Sequence, residues 1–160
     1  MPPPIRAAAT TIDFAQARAL FEEYAAWLAV DLCFQGFAEE LATLPGAYAP
    51  PRGLLMLAGS PDAAIGCIAL RPLDEGSAPG TVAEVKRLYV RPAARESGLG
   101  RRLVQSVIDG ARGMGYRQLK LDTLDRMAEA RALYERLGFS ECAPYYHNPI
   151  PGAVYMALEL

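Results

Sequence analysis

The chain has 160 residues, of which 52% are hydrophobic and 21% charged, with a formal net charge of −2. That is the profile of one globular domain with a real core, and it offers no bulk positive charge for nucleic acid or an anionic membrane surface. His147 is the only histidine, which excludes a multi-histidine metal site, and three scattered cysteines with no C-x-x-C pair argue against a disulfide framework.

The opening "MPPPIRAAAT" has no apolar run of secretory type, and no stretch reaches about 18 apolar residues. A cytoplasmic protein without membrane or nucleic-acid partners is expected. A short strand is predicted near Ile5 to Ala8. Thr10, Thr11 or Asp13 can cap the helix that follows, whose apolar residues Phe14, Ala17, Leu20, Phe21, Tyr24 and Leu28 fall at helical spacing. A second short helix fits "FAEELATL", ended by "PGAYAPP".

The period then changes. "GLLMLAG" and "AAIGCIALRPL" read as a hairpin of buried strands, with Cys67 as a small buried hydrophobe. "DEGSAPG" reads as a loop. "VAEVKRLYV" alternates, which places Val85, Arg87 and Tyr89 on one face and Glu84, Lys86, Leu88 and Val90 on the other. A helix runs from about Gly98 to Met114, and Gly113 and Gly115 supply its stop. "YRQLKLDT" is a strand with Leu119 and Leu121 inward. "MAEARALYERLGF" is a helix with the stripe Met127, Ala130, Leu133, Tyr134 and Leu137, closed by Gly138. "PYYHNPIPG" is a loop and "AVYMALEL" a last strand. Alternating β-α-β-α in the middle favours parallel pairing, and the hairpin favours antiparallel pairing. A mixed sheet with helices on both faces satisfies both.

The junction "LYVRPAARESGLGRRLVQSVI", residues 88–108, carries the chemistry. A strand ends, a polar loop with Gly98 and Gly100 follows, and a helix begins among Arg91, Arg95, Arg101 and Arg102. The first amides of a helix have no internal partner, and the macrodipole adds positive charge there. Glycines let a ligand approach, so the loop suits a polyphosphate. It is neither a Walker A loop nor G-x-G-x-x-G, because no G-K-[ST] follows and the residue three after Gly100 is Leu103.

Arg95-x-x-Gly98-x-Gly100 after "LYV", followed by Ala130, Leu133, Tyr134, Gly138 and Phe139, resembles the GCN5-related N-acetyltransferase (GNAT) family. The resemblance covers at least residues 82–142, and the strand order matches over nearly the whole chain. It implies a single-domain acyl-CoA N-acyltransferase fold, with a mostly antiparallel sheet of six or seven strands. It implies acetyl-CoA as cosubstrate, no metal, and an amine-bearing small molecule or peptide as acceptor, attacked directly in a ternary complex. By resemblance, the amides of Glu96, Ser97, Gly98, Leu99, Gly100 and Arg101 bind the pyrophosphate, with Arg95 and Arg102 beside them. Leu88, Tyr89 and Val90 line the acetyl and pantetheine end, and the Val90 N–H polarises the thioester carbonyl. Tyr134 is the expected general acid, since its ordinary pKa of about 10 keeps its proton at neutral pH, and Glu84 the expected base. The family often has asparagine where this chain has Met127, at the pantetheine arm; Asp122 or Thr123 offers polar contacts nearby. The acceptor is expected near the first helices and the last loop, where Glu22, Glu23, Tyr24, Asp31, Phe34, Tyr48, Tyr145, Tyr146 and His147 lie; of these Tyr24, Phe34, Tyr146 and His147 are the main candidates. A non-catalytic acyl-CoA-binding module of the same fold is the alternative reading. "AVYMALEL" also offers an edge for a homodimer.

Overall fold

The computed structural model describes residues 2–73 and 80–160. All of the "DEGSAPG" loop except Gly80 lies outside the described residues. The elements run β1 (Ile5–Ala7), α1 (Thr11–Leu28), α2 (Phe37–Ala42), β2 (Leu54–Ser60), β3 (Ala63–Pro72), β4 (Val82–Val90), α3 (Leu99–Gly113), β5 (Gln118–Leu124), α4 (Ala128–Arg136), β6 (Ser140–Glu141) and β7 (Ala153–Glu159). One seven-stranded sheet has the order β1-β2-β3-β4-β5-β7-β6, and only the β4–β5 pair is parallel. The expected mixed sheet with helices on both faces is what the chain forms.

Local chemistry sets the start of α1. Thr10 Oγ1 accepts the Asp13 N–H at 3.1 Å, and Asp13 Oδ2 accepts the Thr10 N–H at 3.1 Å, a reciprocal capping box. Asp13 also accepts the Ala9 N–H at 2.9 Å and meets Arg6 of β1 at 2.8 Å. These contacts, the Ala9 N–H first, hold its carboxyl down at about 2.

Each face of the sheet has its own core. Leu99, Leu103, Val104, Val107 and Ile108 of α3 pack on Ile68, Leu70, Val85, Leu119, Leu121 and Met156. On the opposite face, Ala17, Leu20 and Phe21 of α1 pack on Leu55, Leu57, Cys67, Ala69 and Tyr89. Cys67 is fully buried, as its apolar setting predicts, and burial pushes its thiol pKa far up.

Three expectations change. The alternation of β4 does not hold through its middle. Cys67 pairs with Tyr89 but Ala69 pairs with Lys86, so β4 carries one extra residue. Arg87 sits at that bulge in the left-handed region, φ 62°. Lys86 and Arg87 therefore emerge on the same side, toward Gln35 and Glu40. Tyr89 joins the α1 core, whereas Val85, Leu88 and Val90 pack with the α3 core. Tyr48 is core: it is 3% exposed and meets Phe21 edge-on at 6.1 Å. The last strand is not a free edge. It pairs with β5 along its whole length, and β6 and the Cys142 N–H cover part of its other side.

Candidate active site

The parallel pair β4–β5 stays in register only from Val82 to Glu84, against Gln118 to Lys120. Past Glu84 the strands part, because the bulge bends β4 while β5 stays zipped to β7 from Gln118 to Leu124. The wedge between them is a cavity lined by Val85, Lys86, Arg87 and Leu88 of β4 and by Asp122, Thr123 and Leu124 of β5. Tyr24, Met127 and Tyr134 close it. Val90 lies opposite Gly66, and the next amide, Arg91 N–H, reaches Ile65 O at 2.9 Å. Strand amides alternate in direction, so the Val90 N–H faces away from β3, toward the open side. Its carbonyl faces the same way and accepts Arg95 Nε at 2.8 Å.

Tyr134 is buried beside Phe139, with ring centroids 5.6 Å apart. Burial is the main cause that raises its pKa well above the ordinary tyrosine value, with Tyr24 and Asp122 adding to it. The hydroxyl therefore stays protonated. Among the described residues no hydrogen bond engages it, which leaves its proton free for a ligand in the wedge. Tyr24, partly buried against the α1 core, is pushed up to about 12, mainly by desolvation.

A groove leads out of the wedge past Leu88 and ends at the start of α3. It is lined by Tyr89, Val90, Arg95, Glu96, Gly98, Leu99, Gly100 and Arg101 on one side and by Ala130, Leu133 and Arg136 of α4 on the other. Glu96 and Gly98 both take left-handed backbone, at φ 66° and 78°. Gly98 is the N-cap of α3, and no side chain caps the helix. The amides of the first turn are thus left to a ligand.

The arginines divide. Arg101 lines the groove. Arg95 lies flat on Trp27, 4.6 Å from its centroid, while holding the Val90 carbonyl, so it braces the loop against the strand end. Arg91 is paired with Glu23 at 2.7 Å. Arg102 is not among the groove-lining residues and donates Nη1 to Pro3 O at 2.8 Å. Ser97 is exposed and holds Ala94 O at 2.6 Å, outside the groove lining.

A second pocket adjoins the wedge and shares Gln35 and Lys86 with it. Phe34 stacks on Tyr146 there, at 6.5 Å and 17°. Glu84 is fully buried. Its Oε1 accepts Arg71 Nε and Nη2 at 2.8 Å, and its Oε2 accepts Tyr145 OH at 2.5 Å. Asp122 accepts Tyr146 OH and Asn148 Nδ2. His147 is exposed in a shallow depression of the last loop and lines neither the wedge nor this pocket.

The match to known proteins decides the family. The model of the acetyltransferase (GNAT) family matches residues 17–139, most of the chain. The chain belongs to the GNAT family. Within it, the chain is 43% identical over 142 residues to an uncharacterised N-acetyltransferase of Schizosaccharomyces pombe, covering 88% of this chain and 85% of that protein. It is 36% identical over 97 residues to an IAA acetyltransferase of Azospirillum brasilense, covering 60% of this chain and 61% of that one. The crystal structure of an acetyltransferase from Streptococcus agalactiae has the same fold, with a TM-score of 0.80 at 20% identity over 100% of this chain and 99% of that one.

In this GNAT chain Trp27, Gln35, Arg136 and Asn148 are site residues that motif reading does not reach. Trp27 had a signal, since it is the only tryptophan and lies 43% exposed on an amphipathic helix. Lys86 shares its strand with two other charges, Glu84 and Arg87, and carries no separate signal.

Proposed function

We propose that this GNAT chain moves an acetyl group from acetyl-CoA to a primary amine of a small molecule or peptide, by direct attack in a ternary complex. The observation that carries it is the continuous path from the uncapped start of α3, along the groove, into the wedge beside Tyr134. Its two ends suit the two ends of acetyl-CoA: free amides and Arg101 for a pyrophosphate, and the wedge beside Tyr134, lined by both apolar and polar side chains, for the thioester end of the pantetheine arm. Met127 lines the wedge with an apolar side chain, and Thr123 and Asn148 line it with polar ones.

Bound acetyl-CoA supplies a thioester carbonyl for the amine to attack and a thiol as leaving group. The Val90 N–H is turned to receive the carbonyl oxygen as negative charge grows on it. Tyr134 gives its proton to the departing sulfur. Glu84 receives the amine proton through Tyr145: the phenol oxygen takes that proton as its own moves to the carboxylate. Cys67, buried with its thiol held by Arg87 O at 3.3 Å, takes no part.

The test is thiol release from acetyl-CoA across polyamines, amino acids, aminoglycosides and lysine peptides, with calorimetry of acetyl-CoA binding alongside. Binding plus release with one amine class is the expected result. Binding without release from any class would favour an acyl-CoA-binding module. Absence of binding would overturn the reading.

A further inference from the structure

The pocket beside the wedge has an unbalanced set of hydrogen-bonding groups. Its carboxylates are already engaged. Both Glu84 oxygens are taken by Arg71 and Tyr145, and Asp122, which lines the adjoining wedge, accepts Tyr146 OH and Asn148 Nδ2 at its Oδ2. Its cations are less fully engaged, since Arg71 and Lys86 share one Glu84 oxygen. Lys86 has three donors and is only 6% exposed, yet among the described residues it makes one hydrogen bond, to the neutral Gln35 Oε1 at 3.0 Å. The nearest carboxylate oxygen, on Glu84, is 3.8 Å away and already holds Arg71. Arg71 gives Nε and Nη2 to Glu84, and its half-exposed end borders the same pocket. A buried ammonium with so few partners is costly unless something anionic meets it. Burial, the largest cause, draws the Lys86 pKa below the ordinary lysine value, and Glu84 opposes this only in part. Among the described residues, the acidic side chains nearer the surface are engaged elsewhere or exposed: Glu23 is held by Arg91, and Asp31 is exposed and accepts the Cys33 N–H.

We infer that the acceptor is an amine that also carries a carboxylate, received by Lys86 and Arg71 while its amine points past Gln35 into the wedge. An amino acid has this chemistry, and the aromatic pair Phe34–Tyr146 would flank its side chain. The inference rests on the acetyltransferase reading and narrows its substrate class. It runs against the simpler expectation that acidic and aromatic residues here recognise a bare ammonium.

The experiment compares matched acceptors: amino acids, their carboxamides, and the corresponding amines without the carboxyl group. Acetyl-CoA binding is measured first by calorimetry, so failure of the cofactor reading shows separately as no binding. The expected result is a kcat/KM for the acid about tenfold or more above its amide, carried by KM, as for a site with buried donors that must be met. Lys86→Met should collapse that acid-to-amide ratio toward one, and Lys86→Arg should keep part of it. The ratio is the readout because damage to the fold lowers both members of a pair alike. Equal use of acid and amide would overturn the inference, as would a preference for the decarboxylated amine or an unchanged ratio in Lys86→Met. So would acetyl-CoA binding with neither turnover nor, by calorimetry in the presence of CoA, binding of any acid.

Discussion

Asp13 and Glu84 show how one functional group, the carboxylate, serves two ends. Asp13 stabilises α1 and ties it to β1. Its folded pKa of about 2 lies below the ordinary 3.8, so its contribution is full above that value and is lost as pH falls toward about 2. Asp13→Ala should cost about 1 kcal/mol at neutral pH, as loss of a helix cap does. Denaturant midpoints of the two proteins should converge as pH drops from 3.8 toward about 2. A gap that stayed constant through that range would contradict the assignment. Glu84 is buried and fully engaged, which no strand pattern announces. The account predicts that Glu84→Gln lowers kcat while acetyl-CoA affinity by calorimetry is unchanged. An unchanged kcat would leave Glu84 as a brace for Arg71 and Tyr145 alone.

Among the elements, β4 and α3 do most to shape the site. The two glycines of the loop act differently, and a pair of variants separates them. Gly98 needs its left-handed backbone, with nothing within 4 Å of where a Cβ would be. Gly98→Ala should therefore lose about 1 kcal/mol of stability through backbone strain. Gly100 lies in the helix, and a Cβ there would meet only Leu133 Cδ2 at 3.5 Å, an ordinary contact. Gly100→Ala should keep its thermal midpoint yet weaken acetyl-CoA binding by calorimetry, because its methyl enters the groove. Helices and strands were legible because their apolar periods are long and their ends carry Thr10, Pro92, Gly98 and Gly138. The bulge was not. A single extra residue leaves the composition of "VAEVKRLYV" unchanged, and its cause is the pairing with β3. Reading that strand by strict alternation placed Arg87 with Val85 on one face. The fold instead turns Arg87 to Glu40 and opens the wedge.

Across the whole molecule, the site forms where the one parallel pair of the sheet comes apart. Residues from α1, β4, the α3 loop, β5, α4 and the last loop meet there. Motif spacing located the α3 loop and Tyr134, since both are local. It could not locate Trp27, Gln35, Lys86 or Asn148, which come together only through tertiary packing. It set Arg102 beside the ligand by proximity, and that side chain donates to Pro3 O. The central claim is that a thioester sits in the wedge within reach of the free Tyr134 hydroxyl. The most direct measurement is the kcat and the acetyl-CoA affinity of Tyr134→Phe beside wild type, with the chemical step isolated by single-turnover kinetics. The account predicts unchanged affinity and a chemical step slowed by about 10²-fold or more, as loss of a positioned proton donor does. An unchanged single-turnover rate would contradict it.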